Sequence, residues 1–220
     1  MTFSIVARCP QTRQLGVAVS SSSPAVAARC AHVRAHVGAV ATQNITDPRL
    51  GPKLLDLLAH GLSPEEALAT LARSEPHLEY RQLLLVDVQG QTAAHSGAKT
   101  LGTHAVAIGD GVVCGGNLLA DPEVPARMLR AFGAAGGDLA ERILAAMREG
   151  REAGPVHSAG LLVGAQEAWP LVDLRVDWSD GDPIEALAGL YTRWRPQMHE
   201  YVSRAIEPWT APSFGVPGDP

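Results

Sequence analysis

The chain has 220 residues, 46% hydrophobic and 19% charged, enough to bury a sizeable core. Its formal net charge is −5 and no run of five Lys or Arg occurs, which excludes the concentrated positive footprint of a nucleic-acid face. No apolar stretch reaches the roughly eighteen residues of a membrane span and no signal-peptide pattern opens the chain. Cys9, Cys30 and Cys114 are an odd set without a CxxC, so neither a disulfide framework nor a zinc site is expected. One cytoplasmic domain is expected over 1–207, with an irregular Pro/Gly-rich tail over 208–220, no cofactor and no metal.

Phe3, Ile5 and Ala7 alternate with Thr2, Ser4, Val6 and Arg8, which predicts a first strand over Phe3–Cys9. Leu15–Ser20 closes a hairpin with it. Ser20–Pro24 (SSSSP) reads as a small-residue loop, and His36–Gln43 as a strand buried on both faces. Asp47-Pro48 predicts a capped helix entry ahead of Leu50, Leu54, Leu55, Leu57 and Leu58. Ser63-Pro64-Glu65-Glu66 is a capping box for the next helix. Leu83–His95, Ala105–Cys114 and Ala159–Val176 predict three more hairpins. Asp121 and Asp138 cap two helices between the last two. A final helix after Asp182-Pro183 carries the apolar stripe Ile184, Leu187, Tyr191, Trp194, Met198, Tyr201 and Ala205. Its aromatics point to a partner, expected to be a second copy in a homo-oligomer. Hairpins make antiparallel sheets, and helices arriving in pairs predict outer layers. The expected fold is therefore α+β, a four-layer α-β-β-α sandwich of two antiparallel sheets, with a two-layer α+β fold as the alternative.

Few residues suggest chemistry by themselves. Removal of Met1 leaves Thr2 with a free α-amine beside its own hydroxyl, so one residue supplies a nucleophile and a base that titrates near neutrality. Cys114-Gly115-Gly116-Asn117 lets a backbone approach a ligand, and its N–H groups with the Asn117 amide suit an oxyanion. The plainer reading is a turn with positive-φ glycines. Ser158 reads most simply as a solvated strand start, and Arg34 as a salt bridge or a solvent-facing stem. In HVRAHV, a strand puts Arg34 on the face shared by His32 and His36, where a cation opposes a metal. In LVDLRVD, Arg175 keeps Asp173 and Asp177 ionised, which disfavours an acid/base pair. No GxSxG, P-loop, HExxH or GxGxxG occurs.

MTFSIVAR, LGVAVSS, VGAVATQN followed by DPRLGPKLLDLLAHGLSPEEAL, AAHSGAK, GGNLLADPEVPARM, HSAGLLV and VDLRVD together resemble a bacterial family, domain of unknown function 1028. The resemblance runs from Thr2 to about Trp194. That family resembles the N-terminal nucleophile (Ntn) hydrolases, whose fold is the α-β-β-α sandwich. The resemblance implies Thr2 as nucleophile, with Arg34 near the position of the lysine that favours the deprotonated nucleophile. It implies Gly116 and Asn117 at a turn that approaches the catalytic amine, and Ser158 at a serine near that amine. It puts Thr42 and Gln43 at the oxyanion and substrate-pocket backbone. The acidic residue that proteases of this kind keep at the end of the second strand is replaced by Ser20-Ser21, and a later Asp by Gly154-Pro155.

The expected function is an Ntn-type amidohydrolase cleaving an amide, ureide or acyl-amine bond of a small molecule. Thr2, Arg34, Asn117 and Ser158 are its expected catalytic residues. Ser20, Ser21, Thr42, Gln43, Gly116 and His95 are expected to bind substrate. One alternative is a non-catalytic assembly or ligand-binding member of the same fold. Another is a metal hydrolase using His32, His36 or His95.

Overall fold

The structure is a computed structural model and describes residues 1–213. In chain order the elements are β1 (Thr2–Arg8), β2 (Leu15–Ser21), α1 (Ala27–Cys30), β3 (Ala31–Arg34), β4 (Gly38–Asn44), α2 (Leu50–Ala59) and α3 (Pro64–Ser74). There follow β5 (Arg81–Asp87), β6 (Thr92–Ser96), β7 (Ala105–Gly109), β8 (Val112–Asn117), α4 (Val124–Ala134), α5 (Leu139–Gly150), β9 (Ser158–Gly164), β10 (Val172–Val176), α6 (Pro183–Trp194) and α7 (Met198–Ile206). The strands form two antiparallel sheets, of order β10-β9-β2-β1-β8-β7 and β3-β4-β5-β6.

Strand alternation explains the layers, because successive side chains point to opposite faces. Val6, Val17, Val19 and Val113 of the six-stranded sheet meet Ala39, Ala41, Leu84 and Val86 of the four-stranded sheet in one buried cluster. Phe3, Ile5, Leu161 and Val163 point the other way, onto Met128, Phe132, Ile143 and Met147 of α4 and α5 and Ile184 and Leu187 of α6. Val40, Leu83 and Leu85 meet Leu50, Leu54 and Leu58 of α2 and Leu71 of α3. Three apolar interfaces separate four layers, so the fold is a four-layer α-β-β-α sandwich of two antiparallel sheets and not the two-layer alternative.

Several boundaries differ from those the sequence predicts. α2 begins at Leu50, after a turn in which Asp47 O accepts from Leu50 N (3.1 Å) and the Asp47 carboxylate accepts from the Arg49 N–H (3.0 Å) and pairs with its guanidinium (2.6 Å). That guanidinium holds the Asp47 carboxyl down to about 2. Asp121 likewise accepts from Glu123 N and pairs with Arg127, and α4 starts at Val124. The fourth strand begins at Gly38, since His36 adopts φ 63 in a turn closed by Val37 N and Arg34 O. The last helix breaks after Trp194 where Pro196 has no N–H to give. Two of its aromatics serve the chain's own core: Tyr191 is buried and donates to Asp138 (2.7 Å), and Trp194 donates to Leu171 O (2.9 Å); Tyr201 is exposed and packs on the Trp194 ring. In the tail, Pro208–Thr210 forms a single 3₁₀ turn; residues 214–220 lie outside the described residues.

Candidate functional site

Sheet register assembles the site. Thr2 on β1 pairs with Ser21 on β2 on one side and with Asn117 on β8 on the other, and Ser21 pairs with Ser158 on β9. Ser158, Ser21, Thr2 and Asn117 therefore form one rung across four adjacent strands. Paired residues share a face, and alternation with Phe3 turns this rung toward the four-stranded sheet. Thr2 is half-buried, whereas Ser21, Asn117 and Ser158 are buried. The N–H of Ser22 donates to the Met1 carbonyl (3.2 Å), which makes Thr2–Ser21 a non-hydrogen-bonded pair, with its side chains close together. The nitrogen of Thr2 accordingly faces β8 and Asn117.

A file of hydroxyls leads away from Thr2. Its Oγ1 lies 2.9 Å from Ser21 Oγ, which lies 3.1 Å from Ser23 Oγ. Arg29, in α1, donates from Nη2 to Ser23 Oγ (3.2 Å) and from Nη1 to the carbonyls of Pro24 (3.0 Å) and Ala25 (3.1 Å). The Ser158 hydroxyl donates to Ser23 O (2.6 Å) and accepts from Val26 N (3.2 Å), fixing the loop that carries these serines. The Met1 carbonyl accepts from Ser21 Oγ (2.9 Å) as well as from Ser22 N.

On the facing sheet, Gln43, Gln82 and Ser96 form a matching rung. Gln82 Nε2 donates to Gly116 O (3.1 Å), an oxygen that can only accept. Gln82 Oε1 must then face Gln43 Nε2 (2.8 Å) and Asn117 Nδ2 (3.2 Å), so both of those amides donate toward it. The Gly116 carbonyl oxygen thus fixes the orientation of three side-chain amides in turn. Gln43 Oε1 is left pointing away, buried and without a hydrogen-bond partner, as is Ser4 Oγ one inward-facing position along β1 from Thr2.

Other expected site residues lie elsewhere. Arg34 pairs with Gly38, five residues along β4 from Gln43 and so about 17 Å from the rung. Its guanidinium binds Asp56 (2.8 Å) at the surface, because β3 runs to the opposite end of the sheet. His95 pairs with Leu83, whose side chain faces α2 and α3, and its Nε2 meets Leu78 O (3.1 Å). Thr42 also faces the helices, with its Oγ1 3.2 Å from Thr46 Oγ1 in the loop it holds. Ser20 turns from the rung and donates to Ser158 O (2.8 Å). Gly115 and Gly116 are strand residues, not a positive-φ turn: that conformation falls to Leu118 (φ 54). A Cβ on Gly116 would lie 2.6 Å from Leu119 and 3.0 Å from Thr2 O, so close packing requires the glycine. Ser158 is fully buried, not a solvated strand start.

The histidines do not converge. His32 Nε2 meets Arg29 O (3.3 Å), and His36 Nε2 meets Gln166 O (3.0 Å). Among the described residues no three His, Cys, Asp or Glu are grouped to hold a metal ion. All three thiols are buried and free, and burial pushes Cys30 up to about 11 and Cys114 higher still. No helix among the described residues is long and apolar enough to cross a membrane. The residues that sequence reasoning missed are Arg29, Ser23, Gln82 and Ser96. Ser23 lay in plain view in SSSSP, and the parity of alternation along β6 puts Ser96, not His95, on the inner face.

Comparison with known proteins places this architecture. Residues 2–187 match the model of a family described as "Family of unknown function (DUF1028)". A crystal structure of a DUF1028 protein from Silicibacter pomeroyi superposes with a TM-score of 0.83 at 31% identity, over 87% of this chain and 88% of that one. Anbu (ancestral beta-subunit) from Yersinia bercovieri aligns at 10% identity and a TM-score of 0.39, covering 90% of this chain and 96% of its own. An Anbu (Gly-1) mutant from Hyphomicrobium sp. strain MC1 aligns at 10% and 0.37, covering 92% and 100%. A likeness that faint bears on neither site nor assembly. No curated protein matches significantly. With the match spanning 2–187, the chain belongs to the DUF1028 family.

Proposed function

We propose that the protein is a cytoplasmic Ntn-type amidohydrolase that cleaves an amide, ureide or acyl-amine bond of a small molecule. The observation that carries this reading is the rung itself: Thr2 sits between Ser21 and Asn117 with its hydroxyl in a hydrogen-bonded file. After Met1 is removed, Thr2 Oγ1 attacks the carbonyl carbon and passes its proton to the Thr2 amine. The amine hands that proton to the leaving nitrogen as the C–N bond breaks. Water then attacks the resulting ester, with the amine again taking the proton, and the Thr2 hydroxyl is restored. Burial already lowers the α-amine of Met1 below its ordinary value, and the Thr2 nitrogen lies one residue further into the sheet. The second N–H of Asn117 and nearby backbone N–H groups are the oxyanion donors in this reading. Ile45, Leu101 and Leu118 are exposed on loops joined by Leu118 N to Leu101 O (3.1 Å) and Leu101 N to Asn44 Oδ1 (3.2 Å), and they offer an apolar rim to a substituent of the substrate.

A second reading, a non-catalytic member of the fold acting in a homo-oligomer, draws on one observation. Met1 is well seated: its carbonyl takes bonds from Ser21 and Ser22, and its amine donates to Ser22 Oγ (3.2 Å). Screening small amides against protein that begins at Thr2, and against protein extended upstream of Met1, separates the two. Turnover only by the Thr2-start form supports the hydrolase. Retention of Met1 in protein from its own cell, with no turnover by either form, supports the assembly role.

A further inference from the structure

Hydrogen counting gives the hydroxyl file a direction. An arginine only donates, so Ser23 Oγ accepts from Arg29 and its one hydrogen is free to point to Ser21 Oγ. Ser21 Oγ also accepts from Ser23 N (3.2 Å), which fills its two lone pairs. Its single hydrogen then has two acceptors at the same 2.9 Å, the Met1 carbonyl and Thr2 Oγ1. While Met1 is in place that hydrogen goes to the Met1 carbonyl, a stronger acceptor than a hydroxyl. Without Met1 it goes to Thr2. Among the described residues no carboxylate lies within ion-pair reach of Arg29, so its charge is not neutralised locally.

We propose that Arg29 is the positioning residue of the Thr2 site, aiming donors at Thr2 Oγ1 through Ser23 and Ser21, and that the Met1 carbonyl blocks this file by taking the hydrogen of Ser21. The proposal rests on the reading of Thr2 as nucleophile. Loss of Met1 then does two things at once: it frees the amine, and it turns the file toward the nucleophile. The Thr2 hydroxyl accepts from Ser21, and its own hydrogen is left for the amine. The file stabilises the alkoxide that develops when that hydrogen leaves.

The test uses p-nitrophenyl acetate and full-length protein cleaved from a fusion so that Thr2 is the first residue. Attack by Thr2 Oγ1 forms an acetyl ester, releases nitrophenolate and transfers the hydroxyl proton to the amine. Release is followed by absorbance, and the hydroxylamine-labile acetyl group is located on the Thr2 peptide by mass. Ser23→Ala cuts the file and leaves the Arg29 bonds to Pro24 O and Ala25 O intact; Arg29→Gln removes the charge. Each is expected to slow acetylation about tenfold or more, the worth of one charge-assisted hydrogen bond. Each also moves the rise of the pH–rate profile to higher pH. The double variant is no slower than the slower single one, Arg29→Lys recovers part of the rate, and melting confirms that each variant folds. Protein extended upstream of Met1 is not acetylated on Thr2. If Ser23→Ala keeps the wild-type rate and pH profile, or if the two losses add, the file does nothing. If the unmutated Thr2-start protein is itself not acetylated, the nucleophile reading fails and takes the file with it.

Discussion

The two ends of the sandwich spend their polar groups differently. At the end where Gly38 and Asp87 pair, a cavity of about 620 Å3 opens among His36, Leu58, Ser63, Glu66 and Asp87. There the polar groups are engaged in the fold: His36 meets Gln166 O, Ser63 and Glu66 close a capping box, and Asp87 Oδ1 accepts from the N–H groups of Gln89 and Gln91. At the Thr2 end the sheets close on each other. Yet a file of hydroxyls runs to an unneutralised cation, and two buried oxygens lack partners. Concavity alone points to the first end, whereas unspent hydrogen-bonding capacity points to the second. A buried polar atom without a partner costs free energy, so its persistence asks for an explanation that a well-satisfied cavity does not.

The largest expected contrast between the ends is in activity. Thr2→Ala in the Thr2-start protein should reduce acetylation and any turnover found by screening to background, with melting unchanged. Arg34→Ala, at the other end, should leave both rates unchanged, because its ion pair with Asp56 is exposed and distant. Loss of activity in Arg34→Ala together with retention in Thr2→Ala would invert the assignment.

Gln82→Leu gives the next largest effect, this time on stability. Gln82 is fully buried and bonds to Gln43, Ser96, Asn117 and Gly116 O. A leucine of similar size leaves those partners facing an apolar group. Several unsatisfied buried groups at 1–3 kcal/mol each predict a loss of about 3 kcal/mol or more in chemical denaturation. A loss below about 1 kcal/mol would mean that the amide chain does not hold the rungs together.

These contrasts show which parts of the site the sequence contains. Alternation along the first strand fixes the inward face of Thr2 and Ser4, and the hairpin then brings Ser21 beside Thr2, so this much follows from local pattern. The cation does not. A single turn of helix at Ala27–Cys30 puts Arg29 beside the serines, and β3 carries Arg34 away; four residues of helix leave no periodicity to read. One further difference is a matter of parity. His95 sits one residue from Ser96, and in a strand one residue changes the face of the side chain. Gln82 is the second residue of an apolar strand, RQLLLVD, one position before the Leu83 at which the sequence predicts that strand to begin. Only the docking of one sheet on the other gives it Gly116 O and Asn117, a contact between residues 34 and 35 positions apart.

The smallest expected effect is also the one with an informative sign. Ser63→Ala, at the cavity end, removes a helix cap and should cost about 1 kcal/mol. Ser4→Ala removes a hydroxyl that is fully buried and unpartnered, one inward-facing position from Thr2. Removing such a group relieves its desolvation penalty, so this substitution should be neutral or stabilise by up to about 1 kcal/mol, read as an unchanged or raised denaturation midpoint with an unchanged slope. Opposite signs for two serine-to-alanine changes would confirm that the ends differ in how their polar groups are satisfied. A Ser4→Ala variant destabilised as much as Ser63→Ala would instead mean that Ser4 Oγ is bonded in solution, and the contrast would narrow to Gln43.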